Sequence, residues 1–202
     1  MLDGWARKKI DPMLNAIAAA MAGSGVTPNA VTVASCAIGI AAAGAIAFHH
    51  YWLGLFLLLA SRLGDGLDGA LARIAGKTDF GGFLDIVLDF VFYGAIPMGF
   101  VLADPATNAV AGAALILSFY INGASFLAYA VMAEKRDLET AARGSKSLYF
   151  TTGLAEATET IAVFTAFCLF PGWFAPLAWL FAAICCYTAL ARIVQAAMTF
   201  KA

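Results

Sequence analysis

Residues 61–90 read SRLGDGLDGALARIAGKTDFGGFLDIVLDF, and this stretch decides how the rest of the chain is interpreted. Two apolar segments flank a short polar turn. The first segment carries Asp65 and Asp68, three residues apart, and the second carries Asp85 and Asp89, four residues apart. Both spacings place side chains on one face of a helix. The pattern therefore predicts two antiparallel helices whose carboxylates converge between them.

Four carboxylates in an apolar environment repel one another strongly unless cations neutralise them. A charged group within a membrane segment is costly, and by default it marks a functional site. The set offers oxygen ligands without His or Cys, which suits Mg²⁺, Mn²⁺ or Ca²⁺. We predict a site for two divalent ions at Asp65, Asp68, Asp85 and Asp89. Snorkelling acids near a helix end would explain one or two such residues, but not four at matched spacing.

The composition of the whole chain indicates a membrane protein. Its 202 residues are 62% hydrophobic and 12% charged, whereas soluble domains are roughly 45–50% apolar and about 25% charged. The net charge of −1 gives no basic surface that would indicate a nucleic-acid partner. We expect one membrane domain over residues 1–202.

Six segments are apolar over the length of about 20 residues that a bilayer-spanning helix needs. They are residues 30–49, 52–75, 81–103, 108–133, 150–170 and 174–198. The sequence therefore predicts an all-α integral membrane protein with six transmembrane helices within residues 27–202. Residues 1–26 combine Arg7, Lys8 and Lys9 with apolar residues at helical spacing, which indicates an amphipathic helix on the membrane surface.

The placement of Lys and Arg predicts the orientation in the membrane. With six spans, the N-terminus, two loops and the C-terminus share one side. Of the 12 Lys and Arg residues, all but Arg62 fall on that side or close to it. The positive-inside rule makes that side cytoplasmic. We therefore expect a multi-pass protein of a bacterial inner membrane with its acids facing the cytoplasm.

The acidic stretch also resembles a known family signature. Asp65-x-x-Asp68-Gly69-x-x-Ala72-Arg73, followed by Gly81-x-x-x-Asp85-x-x-x-Asp89, is similar to the motif of the CDP-alcohol phosphotransferases, which make phospholipids by displacing CMP. Thr27-Pro28-Asn29-x-x-Thr32 before the first span is also common in that family. One spacing differs, because seven residues rather than the usual eight separate Arg73 from Gly81.

The resemblance implies a role for each motif residue. Asp65, Asp68 and Asp85 would bind two Mg²⁺ or Mn²⁺ ions that clamp the diphosphate, with Asp89 near the second ion and acting as the general base. The implied nucleotide-binding residues are Asp65, Gly69, Ala72, Arg73, Gly81 and Gly82. Arg73 would assist at the phosphates, or it could be an orientation-setting charge. The resemblance also implies a homodimer.

The substrates are less tightly defined by the sequence. The expected donor is CDP-diacylglycerol, whose acyl chains could lie between spans, but another CDP-alcohol is also compatible. The acceptor is expected to be a small alcohol or an alcohol phosphate. Arg143 and Lys146 could bind a phosphorylated acceptor or only set orientation. Glu156 and Glu159, three residues apart, could bind an amine or polyol, or pair with Arg62 or Arg192.

Two other protein classes share some of these features. Membrane prenyltransferases also hold a diphosphate with paired aspartates and Mg²⁺, but they typically have more spans and an Asn-containing first motif. A divalent-cation transporter would place its acids near the middle of the membrane and open to both sides. The Asp-Gly-x-x-Ala-Arg run and the acids near one face favour the transferase.

Overall fold

The computed structural model describes residues 3–136 and 155–200. These residues form seven α-helices and one short 3₁₀ turn, and they contain no β-strand. The helices are α1 (Asp3–Met21), α2 (Pro28–Ala47), α3 (Tyr51–Ala75), α4 (Asp79–Ala103), α5 (Pro105–Lys135), α6 (Ala157–Leu169) and α7 (Phe174–Thr199), with the 3₁₀ turn at Pro171–Trp173.

Four stretches of this bundle are long and apolar enough to cross a membrane. They are α2, α4, α5 and the continuous segment Pro171–Thr199, which contains α7. Helix α3 is also 25 residues long, but its charged residues reduce its hydropathy. The described part of the fifth predicted span is the 13-residue α6. The part of the chain that the structure describes is therefore all-helical with four candidate membrane spans, as a multi-pass protein requires, and the count of six spans stays a prediction.

The turn between α3 and α4 is encoded by two residues. Gly76 ends α3 with a φ of 98°, a left-handed conformation that glycine adopts without steric cost. Thr78 then caps α4, because its side-chain oxygen accepts a hydrogen bond from the Gly81 amide at 3.0 Å. This short connection brings the acids of α3 and α4 to the same end of the bundle.

Helix α2 packs closely against both acidic helices. Ser61 of α3 donates a hydrogen bond to the Ser35 carbonyl of α2 at 2.7 Å. On the α4 side, a methyl group added at Gly99 would lie 2.6 Å from the Ala43 carbonyl oxygen. Helices α3 and α4 approach each other only sparsely. The two acidic helices are thus held mainly by α2, and side chains fill the space between them.

An aromatic core lies beyond the acids along α4. Phe100 stacks on Phe174 of α7 with ring centroids 4.9 Å apart, and Phe167 of α6 meets Phe174 edge-on at 4.8 Å. All three rings are fully buried or nearly so. Such rings contribute large buried apolar areas and favourable pairwise geometry. This end of the bundle is therefore densely packed, whereas the acidic end encloses the two cavities described below.

Helix α1 packs on α3 beside the acids. Leu14 and Ala18 are buried against Ala70 and Leu71 of α3. Other apolar side chains of α1 are exposed, namely Ile10, Met13 and Ile17. An exposed apolar face is what a helix at a membrane surface requires. The predicted surface location of α1 stays a prediction.

Candidate active site

Three of the predicted acids come together at one point. Asp65 and Asp68 of α3 and Asp85 of α4 each offer a carboxylate oxygen, and these oxygens lie within 4.8 Å of one another. The three-residue spacing on α3 turns its two acids to the same side. We refer to Asp65, Asp68 and Asp85 as the carboxylate triad.

The triad has the properties of a divalent-cation site. Asp68 is only 6% exposed, and its Oδ2 atom is buried without a hydrogen-bond partner among the residues that the structure describes. A buried carboxylate oxygen without a partner is costly, and two neighbouring carboxylates add repulsion. Oxygen ligands at this spacing fit a hard ion such as Mg²⁺ or Mn²⁺.

The fourth acid, Asp89, lies beside the triad but forms an ion pair. Its Oδ1 accepts a hydrogen bond from Nη1 of Arg62 at 2.8 Å. The same guanidinium nitrogen lies 3.4 Å from Oδ1 of Asp65. The Asp89 side chain is still 32% exposed. The four predicted acids are therefore arranged as a triad plus a fourth carboxylate held by an arginine.

A cavity of about 530 Å³ opens on one side of the triad. It is formed by the start of α2, the end of α3, the turn and the start of α4. Its lining includes five predicted nucleotide-binding residues, Gly69, Ala72, Arg73, Gly81 and Gly82, together with Thr27, Asn29, Thr32, Asp68, Lys77, Thr78 and Asp85. Asp65, also predicted to contact the nucleotide, belongs to the triad and is not among the lining residues.

The two adjacent glycines have different surroundings. A methyl group at Gly81 would lie 3.0 Å from both Asn29 Oδ1 and Thr78 Oγ1, so this position is tightly packed. A methyl group at Gly82 would meet no described atom within 4 Å. Gly81 therefore lets α4 start close to α2, whereas Gly82 leaves its backbone open to a ligand.

Arg73 is oriented by a residue of α1. Its Nη2 donates a hydrogen bond to the Asn15 side-chain oxygen at 3.0 Å. The contact joins residues 58 positions apart in sequence, and the motif gives no indication of it. Asn15 is therefore a candidate site residue that the sequence did not identify, and only the packing of α1 on α3 reveals it.

A second cavity, of about 380 Å³, lies on the Asp89 side of the site. Its lining comes from α4, α5, α7 and the start of α6, and it includes Asp89, Asn122, Glu156 and Arg192. Arg192 is anchored by α5, because its Nη1 lies 3.0 Å from Asn122 Oδ1 and 2.6 Å from Ser125 Oγ. The sequence offered Arg192 only as a possible partner of Glu156 or Glu159, and it gave no indication of the contacts with Asn122 and Ser125.

The four predicted acceptor-binding residues differ in where they lie relative to the second cavity. Glu156 immediately precedes the first residue of α6 and lines the second cavity. Glu159 lies in the first turn of α6 and is not among the lining residues. Arg143 and Lys146 lie outside the described residues.

Sequence comparison identifies relatives along the whole chain. A profile of the CDP-alcohol phosphatidyltransferase family matches residues 25–195. The inner membrane protein YnjF of Escherichia coli is 44% identical over 201 residues, which cover 100% of this chain and 98% of that protein. The archaetidylinositol phosphate synthase of Pyrococcus horikoshii is 32% identical over 117 residues, which cover 57% of this chain and 62% of that protein.

The fold also matches solved structures. The phosphatidylinositol phosphate synthase PgsA1 of Mycobacterium tuberculosis with CDP-DAG bound has a TM-score of 0.72 at 22% identity, covering 92% of this chain and 94% of that chain. The same protein in complex with manganese and citrate has a TM-score of 0.71 at 20% identity, covering 90% of this chain and 88% of that chain. These likenesses establish a shared fold.

The family match distinguishes this chain from the two rival classes, the prenyltransferases and the cation transporters. It extends far beyond the acidic motif, from before α2 to near the end of α7. YnjF, which aligns over 98% of its own length, is by name an inner membrane protein. The chain belongs to the CDP-alcohol phosphatidyltransferase family.

Proposed function

We propose that this protein transfers a phosphatidyl group from CDP-diacylglycerol, or a closely related CDP-alcohol, to the hydroxyl of a small polar alcohol or alcohol phosphate. The observation that carries the proposal is that Asp68 and Asp85 of the triad line the larger cavity, while the neighbouring Asp89 lines the second one. That arrangement gives a donor and an acceptor separate routes to one reaction centre. The CDP-DAG bound to the structurally similar PgsA1 supports the choice of donor.

The larger cavity is the proposed donor site. Gly69, Ala72 and Gly82 leave backbone surface accessible to a cytidine, and Arg73 supplies a cation for the diphosphate. Asn15 holds the Arg73 guanidinium at the cavity wall.

Asp65, Asp68 and Asp85 are the residues that would hold a divalent ion, and Asp89 is close enough to approach a second one. A bound ion would act as a Lewis acid on the diphosphate and stabilise the charge on departing CMP. The manganese complex of PgsA1 supports this choice of ion class.

Asp89 is the proposed general base. The acceptor hydroxyl would enter through the second cavity and transfer its proton to the Asp89 carboxylate. The hydroxyl oxygen would form a bond to the β-phosphorus while the bond from that phosphorus to the bridging oxygen breaks, so that CMP leaves with that oxygen. In phosphoryl transfers of this kind, positioning and electrostatics supply most of the catalysis.

The acceptor is proposed to contact Arg192 and Glu156, which line the second cavity with Asp89. Arg192 would bind a phosphate or hydroxyl group of the acceptor, because its guanidinium is held at the wall by the neutral groups of Asn122 and Ser125. Arg143, Lys146 and Glu159 stay candidates for the same pocket on the strength of the sequence alone.

The membrane arrangement is part of the proposal. We propose one domain over residues 1–202, with six spans within residues 27–202, a surface helix within residues 1–26 and the triad facing the cytoplasm. The distribution of the 12 Lys and Arg residues supports this orientation. A homodimer is proposed from the family resemblance.

Purified protein incubated with CDP-diacylglycerol and a panel of small alcohols and their phosphates is expected to release CMP. We expect excess EDTA to reduce the rate at least about 100-fold, because the diphosphate charge would lose its divalent counter-ion. Added Mg²⁺ or Mn²⁺ should restore the rate, whereas added Na⁺ should not. CMP release that continues unchanged in EDTA would contradict the metal-dependent proposal.

The Asn15→Ala variant is expected to raise the KM for CDP-diacylglycerol about fivefold with little change in kcat. The reason is that Arg73 would lose the hydrogen bond that orients it, and an exposed hydrogen bond of this kind contributes about 1 kcal/mol. Steady-state CMP release against donor concentration measures this effect. Met13→Ala, on the exposed face of the same helix, is the matched control, and an equal KM in both variants would contradict the role of Asn15.

A further inference from the structure

Arg62 is a buried cation at the reaction centre. It lies one helical turn before Asp65 on α3, and its side chain is 8% exposed. Its Nη1 contacts Asp89 at 2.8 Å and Asp65 at 3.4 Å. Removing a guanidinium from water costs several kcal/mol unless it is well paired. Both pairing partners are acids of the proposed active site.

The position of Arg62 is fixed by more than its ion pairs. Its guanidinium lies 3.6 Å from the centre of the Phe92 ring, a favourable cation–π distance. Its Nη2 donates to Ser61 Oγ at 3.3 Å, and Ser61 in turn donates to the Ser35 carbonyl of α2. Three helices, α2, α3 and α4, therefore restrain this one side chain.

This restraint determines which acids are open to a metal ion. Arg62 lies closer to Oδ1 of Asp89, at 2.8 Å, than to Oδ1 of Asp65, at 3.4 Å, and Asp89 is not a member of the group of carboxylates that lie within 4.8 Å of one another. A guanidinium and a divalent cation close to the same carboxylate oxygen repel each other. The triad can bind an ion while Asp89 stays paired with Arg62, because the contact of Arg62 with Asp65 is the longer of the two. Asp89 could ligate a tightly bound ion through Oδ1 only if its ion pair were broken.

We propose that Arg62 is the positioning residue of Asp89, and that it keeps Asp89 out of the metal coordination shell until donor binds. The donor-free enzyme then binds one divalent ion tightly, at Asp65, Asp68 and Asp85. Arg62 holds Asp89 toward the second cavity, where the acceptor proton must be taken up. The inference rests on the proposed function of the triad and adds a specific assignment within it.

Mn²⁺ binding to the full-length protein in lipid nanodiscs without donor tests the assignment directly. Free Mn²⁺, measured by electron paramagnetic resonance, should titrate one tight site per wild-type chain. Asp89→Asn should change the affinity of that site less than threefold, whereas Asp85→Asn should weaken it at least tenfold. Two tight ions in the wild-type chain, or equal weakening by the two substitutions, would overturn the proposal.

Substitution of Arg62 provides a second test of the proposal. Arg62→Gln should free Asp89 and allow a second Mn²⁺ to bind without donor, whereas Arg62→Lys keeps the charge and should retain one ion. Arg62→Gln should also lower kcat about 10- to 100-fold, as loss of an orienting partner typically does, with the KM for CDP-diacylglycerol changed less than threefold. Arg136→Gln, which removes a cation at the end of α5, is the matched control and should leave one ion.

The results separate this inference from the proposed function. A wild-type chain that binds no Mn²⁺ and releases no CMP would contradict the proposed function itself. A chain that binds Mn²⁺ and releases CMP, but loses the ion equally on substitution of Asp89 and Asp85, would contradict only the role of Arg62. If Arg62→Gln does not fold, the comparison of Asp89→Asn with Asp85→Asn still decides.

Discussion

The Asp89→Asn variant is expected to release CMP about 1,000-fold more slowly than the wild-type protein while still binding CDP-diacylglycerol. The substitution is nearly isosteric, and the amide oxygen can still accept the hydrogen bond from Arg62. What is lost is the ability to take a proton from the acceptor hydroxyl. A positioned general base contributes about 10²–10⁴-fold to the rate, so we expect a loss in that range.

The measurement pairs single-turnover CMP release with donor binding on the same preparation. Asp104→Asn is a matched control, because Asp104 caps α5 at the end of α4 away from the triad, and Asn is also a good N-cap residue. It should retain activity within about twofold of wild type. An Asp89→Asn variant whose rate falls less than tenfold would rule out Asp89 as the essential base.

The helices that carry the acids could be predicted closely because their signals are local. The span predicted at 52–75 is α3, Tyr51–Ala75, and the span predicted at 81–103 is α4, Asp79–Ala103. Apolar length, Gly76 and the Thr78 cap mark these ends in the sequence itself. Helical periodicity likewise placed the side chains of each pair on one face of its own helix.

The division of the four acids into a triad and an ion pair could not be predicted in the same way. It depends on how far α4 lies from α3, and α2, packed against both, sets that distance. Arg62 looked like an exception to the charge distribution, and only the packed structure shows its contacts with Asp89 and Phe92. Spacing along one helix carries no information on such contacts between helices.

The contacts of residues in the proposed acceptor cavity were equally hard to predict from the sequence. The sequence left Arg192 as an orientation-setting charge or a partner of Glu156 or Glu159, because whether a side chain near a helix end faces lipid or a cavity depends on the rotation of that helix. The structure turns it toward Asn122 and Ser125, in the wall of the cavity that Asp89 also lines. Asn15 was missed for a related reason, since its contact with Arg73 exists only once α1 packs on α3.

Asp68→Asn is the second substitution with a large expected effect, and its effects on activity and stability should have opposite signs. Asp68 is the most deeply buried member of the triad, and its Oδ2 has no hydrogen-bond partner within the described part of the chain. Without a metal ion, this group must either remain ionised beside two other carboxylates or give up its charge, and both states cost free energy. The neutral amide avoids that cost, so we expect the metal-free variant to be at least as stable as the metal-free wild type.

With metal present, the wild-type protein should be more stable than the Asp68→Asn variant. An ion that binds only the native protein stabilises it by about 2.7 kcal/mol at 100 times its dissociation constant, and Asp68→Asn should lose most of this gain together with at least about 100-fold of the CMP-release rate. Apparent melting temperatures in EDTA and in Mn²⁺ measure the stability of the protein without and with metal. Asp79→Asn, which replaces an exposed acid in the first turn of α4, is the control and should keep the rise in melting temperature that Mn²⁺ causes. A purely structural role for Asp68 predicts that the variant has a lower melting temperature in EDTA as well as in Mn²⁺. A variant that is destabilised without metal would therefore show that the triad is not strained by its own charge. That result would remove the physical basis for a metal site there.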